Sequence, residues 1–161
     1  MSRISKINYY LDIAQTVASR STCLRRMYGA IIVKNDVIVS TGYNGAPRGR
    51  KNCSDMGYCL REKMNIPRGE RYEMCRSVHS EANALIAAPR ELMLGGVMYQ
   101  ACIDYPTGEL ANNIDSCQMC KKLIINAGIE TVIYRNTKDE YRIAEVKDWI
   151  FDDDSLGKIG Y

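Results

Sequence analysis

A single histidine, His79, occurs in 161 residues, and a glutamate, Glu81, follows it two positions later. Further along, Cys117 and Cys120 stand three apart where a helical pattern begins. That spacing turns both thiols to one side, and a helix N-terminus favours thiolate over thiol. A closed structural zinc takes four protein ligands, whereas a catalytic zinc takes three and leaves one position for water. His79, at the start of the preceding predicted helix, supplies the third donor. Glu81 then stands beside the metal as a carrier of protons between water and substrate rather than as a ligand. Read singly, each motif has a plainer meaning. A lone histidine is usually a satisfied polar residue, and Cys-x-x-Cys also serves as a redox pair or half a zinc knuckle. Their combination, in this order on two helices, points to a hydrolytic metal site.

The elements that must position these groups can be read from periodicity. From Ser5 to about Ala18 the residues Ile7, Tyr10, Leu11, Ala14 and Val17 recur at helical steps. "GAIIVKNDVIVSTGYNG" reads as two β-branched strands around the turn Asn35-Asp36. Residues 46–73 keep no period and are expected to form a long irregular loop with one short helix, held in place by something. "SEANALIAA" is a helix stopped by Pro89, "GVMYQACI" a strand, "CQMCKKLIINAG" a helix closed by Gly128, and "ETVIYR" a strand. A last helix is expected over 141–150, followed by a loosely held tail from about residue 152. Alternating strands and helices after residue 79 predict parallel pairing beside the antiparallel hairpin, hence a mixed sheet with helices on both faces.

The motifs resemble those of the zinc-dependent cytidine and deoxycytidylate deaminase family, whose pattern is His-x-Glu followed by Pro-Cys-x-x-Cys. Here they stand as "HSE" and "SCQMC", with Ser116 in place of the proline and the longer link "DYPTGELANNID" before it. The similarity runs over roughly residues 5–135. It implies a three-layer α/β/α sandwich with a mixed central sheet, and residues 1–161 forming a single deaminase domain. "GYNGAPRG", residues 42–49, resembles the signature of the deoxycytidylate branch, as do "RSTCLRRMYGAIIV" and "KKLIINAGI". The implied reaction converts dCMP to dUMP and ammonia: a zinc-bound hydroxide attacks C4 while Glu81 passes protons to N3 and to the departing amine.

The resemblance also assigns roles. Asn44 orients the substrate, and backbone groups around Ser80 and Ser116 hold the ring edge and the leaving amine. Glycines 42, 45 and 49 would let backbone pass close to a ligand. A nucleotide phosphate calls for arginine, and Arg25, Arg26, Arg48, Arg50 and Arg90 are available, Arg90 by likeness to phage enzymes with a nucleotide site near a subunit boundary. Tyr43, Gly45 and Arg48 are implied to take part in binding the effectors dCTP and dTTP with Mg2+. A homo-oligomer, a hexamer in form, is implied as well.

Composition narrows the classes. Seven cysteines form an odd set, and the first residues lack the apolar block of an export signal, so reduced, metal-binding thiols fit better than disulfides. The expected setting is cytoplasmic. Beyond the catalytic pair and Cys102, the residues Cys23, Cys53, Cys59 and Cys75 could close a second, structural zinc; family members sharing the first two positions hold one there. A net charge of +3, from 22 basic and 19 acidic residues, gives no basic stripe for nucleic acid, and no apolar run is long enough for a membrane span. The alternatives are a deaminase acting on another cytosine nucleoside or nucleotide or on tRNA adenosine, and a non-catalytic zinc module. The first leaves "GYNGAPRG" unexplained if the target is tRNA; the second leaves Glu81 without a purpose.

Overall fold

In the computed structural model, which describes residues 1–153, helix α1 (Lys6–Ala18) starts at Ser5, whose hydroxyl accepts the Asn8 amide at 3.2 Å. The expected hairpin follows as β1 (Arg26–Lys34) and β2 (Val37–Tyr43). Its turn residues Asn35 and Asp36 have φ of 51° and 60°, a left-handed pair that Asn and Asp tolerate and that matches the twist of a tight hairpin. Strands β3 (Val97–Asp104), β4 (Thr131–Arg135) and β5 (Tyr141–Glu145) complete a sheet of order β2-β1-β3-β4-β5. Among the described residues only β3 and β4 pair in parallel; the other three pairings are antiparallel. The tail beyond residue 153 lies outside the described residues.

Two expectations need correction. Residues 141–145 form β5, not the first half of a helix; α6 covers only Val146–Phe151. The exposed edge of β4 offers unpaired backbone groups, and the β-favouring Tyr141 and Ile143 satisfy them. For the same reason the run of parallel pairing stops at β4.

Alternation along the strands sorts the core into two layers. Ile31, Val33, Tyr99, Ala101 and Ile133 pack under Tyr10, Leu11 and Ala14 of α1. Ala30, Ile32, Met98, Cys102, Val132 and Tyr134 face the other way, onto Ala84 of α4 (Ser80–Ile86) and Ile124 of α5 (Gln118–Ala127). These are the three layers the resemblance implied. Within residues 46–73, α2 (Cys53–Met56) and α3 (Leu60–Lys63) are short, and a 3-10 turn, Tyr72–Met74, follows. Arg61, only 4% exposed, donates to the Pro67 and Glu70 carbonyls at 2.8 and 2.6 Å and lies 4.6 Å over the Tyr72 ring. That one side chain ties the segment together from within.

Gly42 approaches protein rather than ligand. A methyl there would overlap the Ser80 carbonyl and the Ala84 amide of α4, so the missing side chain lets the helix that carries the site lie directly on β2. Gly42→Ala is expected to cost about 1–3 kcal/mol through overpacking. At about 2–4 °C per kcal/mol for a chain of this size, that lowers Tm by roughly 2–12 °C. A thermal melt with Tm unchanged would contradict this packing.

Candidate active site

His79 occupies the N-cap of α4, and Cys117 the N-cap of α5, with Cys120 one turn further. Neither side chain makes a capping hydrogen bond to the first backbone amides of its helix. A serine or aspartate at either place would stabilise its helix by about 1 kcal/mol; both positions instead carry donors that face each other. His79 Nδ1 lies 3.5 Å from the sulfurs of both Cys117 and Cys120. The three donor atoms all fall within 4.8 Å, and among the described residues no other group of three or more such donors is this close. Bond lengths of about 2.3 Å for Zn–S and 2.05 Å for Zn–N at a tetrahedral angle place the nitrogen and each sulfur about 3.5 Å apart. The donor set and its spacing therefore fit a zinc with three protein ligands.

Protons are shared unevenly within the triad. The Cys117 thiol is pulled down to about 4, first by its hydrogen bond with Cys120 and, against the cost of burial, by His79. Cys120 is pushed up as the proton-holding partner of that pair, with burial and nearby Glu81 adding to the effect. Burial alone would lower His79, but hydrogen bonds to Cys117 and Cys75 and the Glu81 charge raise it to about 10. Its ring also meets Tyr72 edge-on at 5.4 Å.

Glu81, 4% exposed, accepts the Ser80 hydroxyl on Oε1 at 2.9 Å, and Ser80 Oγ accepts Gln100 Nε2 at 3.2 Å. These residues and His79 and Cys117 line a cavity of about 490 Å3. Asn44 also lines it, though most of its amide is engaged: Oδ1 accepts the Tyr28 amide at 2.8 Å and the Ser21 hydroxyl, and Nδ2 donates to the Arg26 carbonyl at 2.9 Å. One N–H remains for a ligand. Ser116 is buried behind the wall, paired with Tyr134 Oη at 2.8 Å, while its neighbours Asp115 and Cys117 face the cavity. The long link before it folds back on β3, with Asp104 N donating to Glu109 O at 2.8 Å and Ala111 N to Cys102 O at 2.9 Å, and brings Pro106 to the rim.

The arginines divide. Arg25 and Arg26 line the cavity, Arg25 also pairing with Glu62 at 2.8 Å. Arg48 and Arg50 are exposed outside it, and Arg90 donates to the Asn126 carbonyl at 2.8 Å, away from the cavity. Arg61 and Arg68 line it and were missed, because nothing in "LREKMNIPRGE" distinguishes a guanidinium turned inward from a solvated one. Tyr43 is 38% exposed, and Gly45 is bridged to Val78. Cys23, Cys59 and Cys75 line the cavity while Cys53 is buried at the start of α2. Burial first, then the neighbouring Cys23, Cys59 and Cys75, push the Cys53 thiol up, so the four share a neighbourhood without the closeness of the triad.

Comparison with known proteins agrees with this geometry. Residues 4–136 match the profile of the cytidine and deoxycytidylate deaminase zinc-binding region. The chain is 37% identical over 139 residues to a deoxycytidylate deaminase of Mycobacterium phage D29, covering 83% of this chain and 97% of that one. It is 32% identical to a deoxycytidylate deaminase of Schizosaccharomyces pombe, of whose length it spans only 37%. Among solved structures, the dCMP deaminase of cyanophage S-TIM5 in complex with dCMP and dUMP aligns with a TM-score of 0.58 at 25% identity, over 96% of both chains.

Proposed function

Since the chain belongs to the cytidine and deoxycytidylate deaminase family, we propose that it hydrolyses dCMP to dUMP and ammonia, residues 1–161 acting as one catalytic unit. The observation that carries this reading is the buried Glu81 beside three donors spaced for zinc, on the wall of a cavity rimmed by arginine. His79, Cys117 and Cys120 would hold the zinc, which when bound would lower the pKa of a water from about 15.7 to about 7 and so provide the nucleophile for C4 of the base. Glu81 takes the proton this water releases and gives it to N3; a second proton, from the oxygen now on C4, goes through Glu81 to the amine, which leaves as ammonia. The C4–N bond breaks as C4=O forms, so no redox partner is required. The free N–H of Asn44 is available to orient the nucleotide.

Support for a nucleotide over a nucleoside comes from Arg25, Arg26, Arg61 and Arg68, four guanidinium groups lining one cavity. Removing the phosphate from the ligand is expected to lower kcat/KM on the order of 100-fold or more, because a charge-assisted contact is lost. Assays of ammonia release from dCMP and deoxycytidine check this, with Arg→Ala variants at the four positions identifying the carrier. Equal efficiency on the two compounds would overturn the nucleotide reading. Tyr43, Gly45 and Arg48 are proposed to bind dCTP or dTTP with Mg2+ in a homo-oligomer, a hexamer by resemblance, and the exposure of Tyr43 and Arg48 leaves them available for it. No helix among the described residues is long and apolar enough to cross a membrane; a cytoplasmic nucleotide pool is the proposed setting.

A second, structural zinc on Cys23, Cys53, Cys59 and Cys75 is part of the same reading, supported by their shared neighbourhood around the irregular segment. A closed four-thiolate site would hold that segment against the active-site helix. Metal analysis is expected to give two zinc ions per chain in wild type and one in Cys53→Ser or Cys59→Ser, both with faster proteolysis within residues 46–73. One zinc in metal-replete wild type would remove the second site.

A further inference from the structure

Gln100 occupies the middle of β3 between Met98 and Cys102, both part of the apolar core against α4 and α5, and is 1% exposed. A buried amide there costs on the order of 1–3 kcal/mol for each polar atom left unpaired, so its partners show what it is for. Nε2 donates to Ser80 Oγ at 3.2 Å, and Ser80, wholly buried, donates to Glu81 Oε1 at 2.9 Å. The direction is dictated by chemistry. A serine hydroxyl has one proton, and here it goes to Glu81 Oε1, so Gln100 must present its N–H to the hydroxyl lone pair. Gln100 Oε1 is left buried without a protein partner while the residue lines the cavity. A residue kept for packing alone would be apolar or fully paired.

Resting on the deaminase reading above, we propose that Gln100 is a positioning residue for the proton carrier. By fixing the Ser80 hydroxyl, it holds one Glu81 oxygen in place and leaves the other to face the reacting base. The effect is one of orientation: a carboxylate free to rotate between acceptor sites passes less time aligned with both the attacking water and N3. Ser80 thereby acquires a side-chain role in addition to the backbone role implied by its family position.

The test uses the full zinc-replete chain with Gln100→Met, which keeps length and burial but removes the donor, Ser80→Ala, and the double variant. Each single variant is expected to lower kcat for dCMP roughly 10- to 100-fold, the range of losses when an outer partner of a metal site is removed. KM and zinc content are expected to stay at wild-type values, with Tm falling only in Ser80→Ala, which leaves the buried Gln100 Nε2 unpaired, and the double variant is expected to be no slower than the slower single, because both changes break one chain. A crystal structure of Gln100→Met should find the Glu81 carboxylate turned off Ser80. Unchanged kcat, a loss confined to KM, losses that multiply, or Glu81 still seated on Ser80 would each overturn the proposal. If Gln100→Met does not fold, Ser80→Ala decides by the same kcat criterion. Wild type inert towards dCMP would instead overturn the deaminase reading, and the Glu81 orientation in the crystal would still judge the hydrogen-bond chain.

Discussion

Glu81→Gln is expected to keep the zinc of the His79, Cys117 and Cys120 site and to lower deamination by about 100- to 10,000-fold, the range in which a positioned proton carrier acts. Glutamine has the same length and can still accept the Ser80 hydroxyl at the position where Oε1 now accepts it at 2.9 Å. It fills the same buried space, so folding and the cavity wall are preserved. What it cannot do is take a proton from water and deliver it to N3. The arrangement gives Glu81 no part in ligation, since the donors spaced for the metal are the imidazole and the two sulfurs. Zinc content measured beside kcat on the same preparation decides the matter. Zinc lost in proportion to activity would make Glu81 a ligand, and turnover within tenfold of wild type would make it a bystander.

Cys117→Ser is expected to reverse that pattern, losing the zinc and turnover together. A serine hydroxyl stays protonated near neutral pH, whereas the Cys117 thiol is already pulled down to about 4 by its contacts with Cys120 and His79. The same substitution places serine at the N-cap of α5, where the cysteine makes no capping hydrogen bond, so it should add about 1 kcal/mol of helix stability. The variant is therefore expected to melt at or above the temperature of chelator-treated wild type while having no measurable deaminase activity. That separates loss of the metal from loss of the fold. Full zinc occupancy in Cys117→Ser would remove Cys117 from the donor set.

The ligand motifs were legible in the sequence because their chemistry is local. His-x-Glu and Cys-x-x-Cys each place their groups within one helical turn, and the hairpin turn at Asn35-Asp36 is fixed by residues that accept positive φ. Spacing could not show that Arg90 turns to Asn126 while Arg61 turns inward, since a long cationic side chain is directed by what surrounds it. The segment 141–145 misled for a similar reason. Its pattern suits a helix or a strand, and the open edge of β4 chose the strand.

What the sequence by itself determined is the donor set, the glutamate proposed to carry protons, and the alternation that divides the core between two faces of a mixed sheet, because short-range periodicity and residue chemistry are properties of the chain alone. What only the tertiary structure decided is which distant groups meet. Gly42 admits α4 to the sheet and so sets where His79 stands. The packing of α4 against α5 brings a nitrogen and two sulfurs, 38 and 41 residues apart, to 3.5 Å. β3 carries Gln100 beneath Ser80 and Glu81. Those distances follow from side-chain volumes and backbone approach across layers, and no interval along a single chain encodes them.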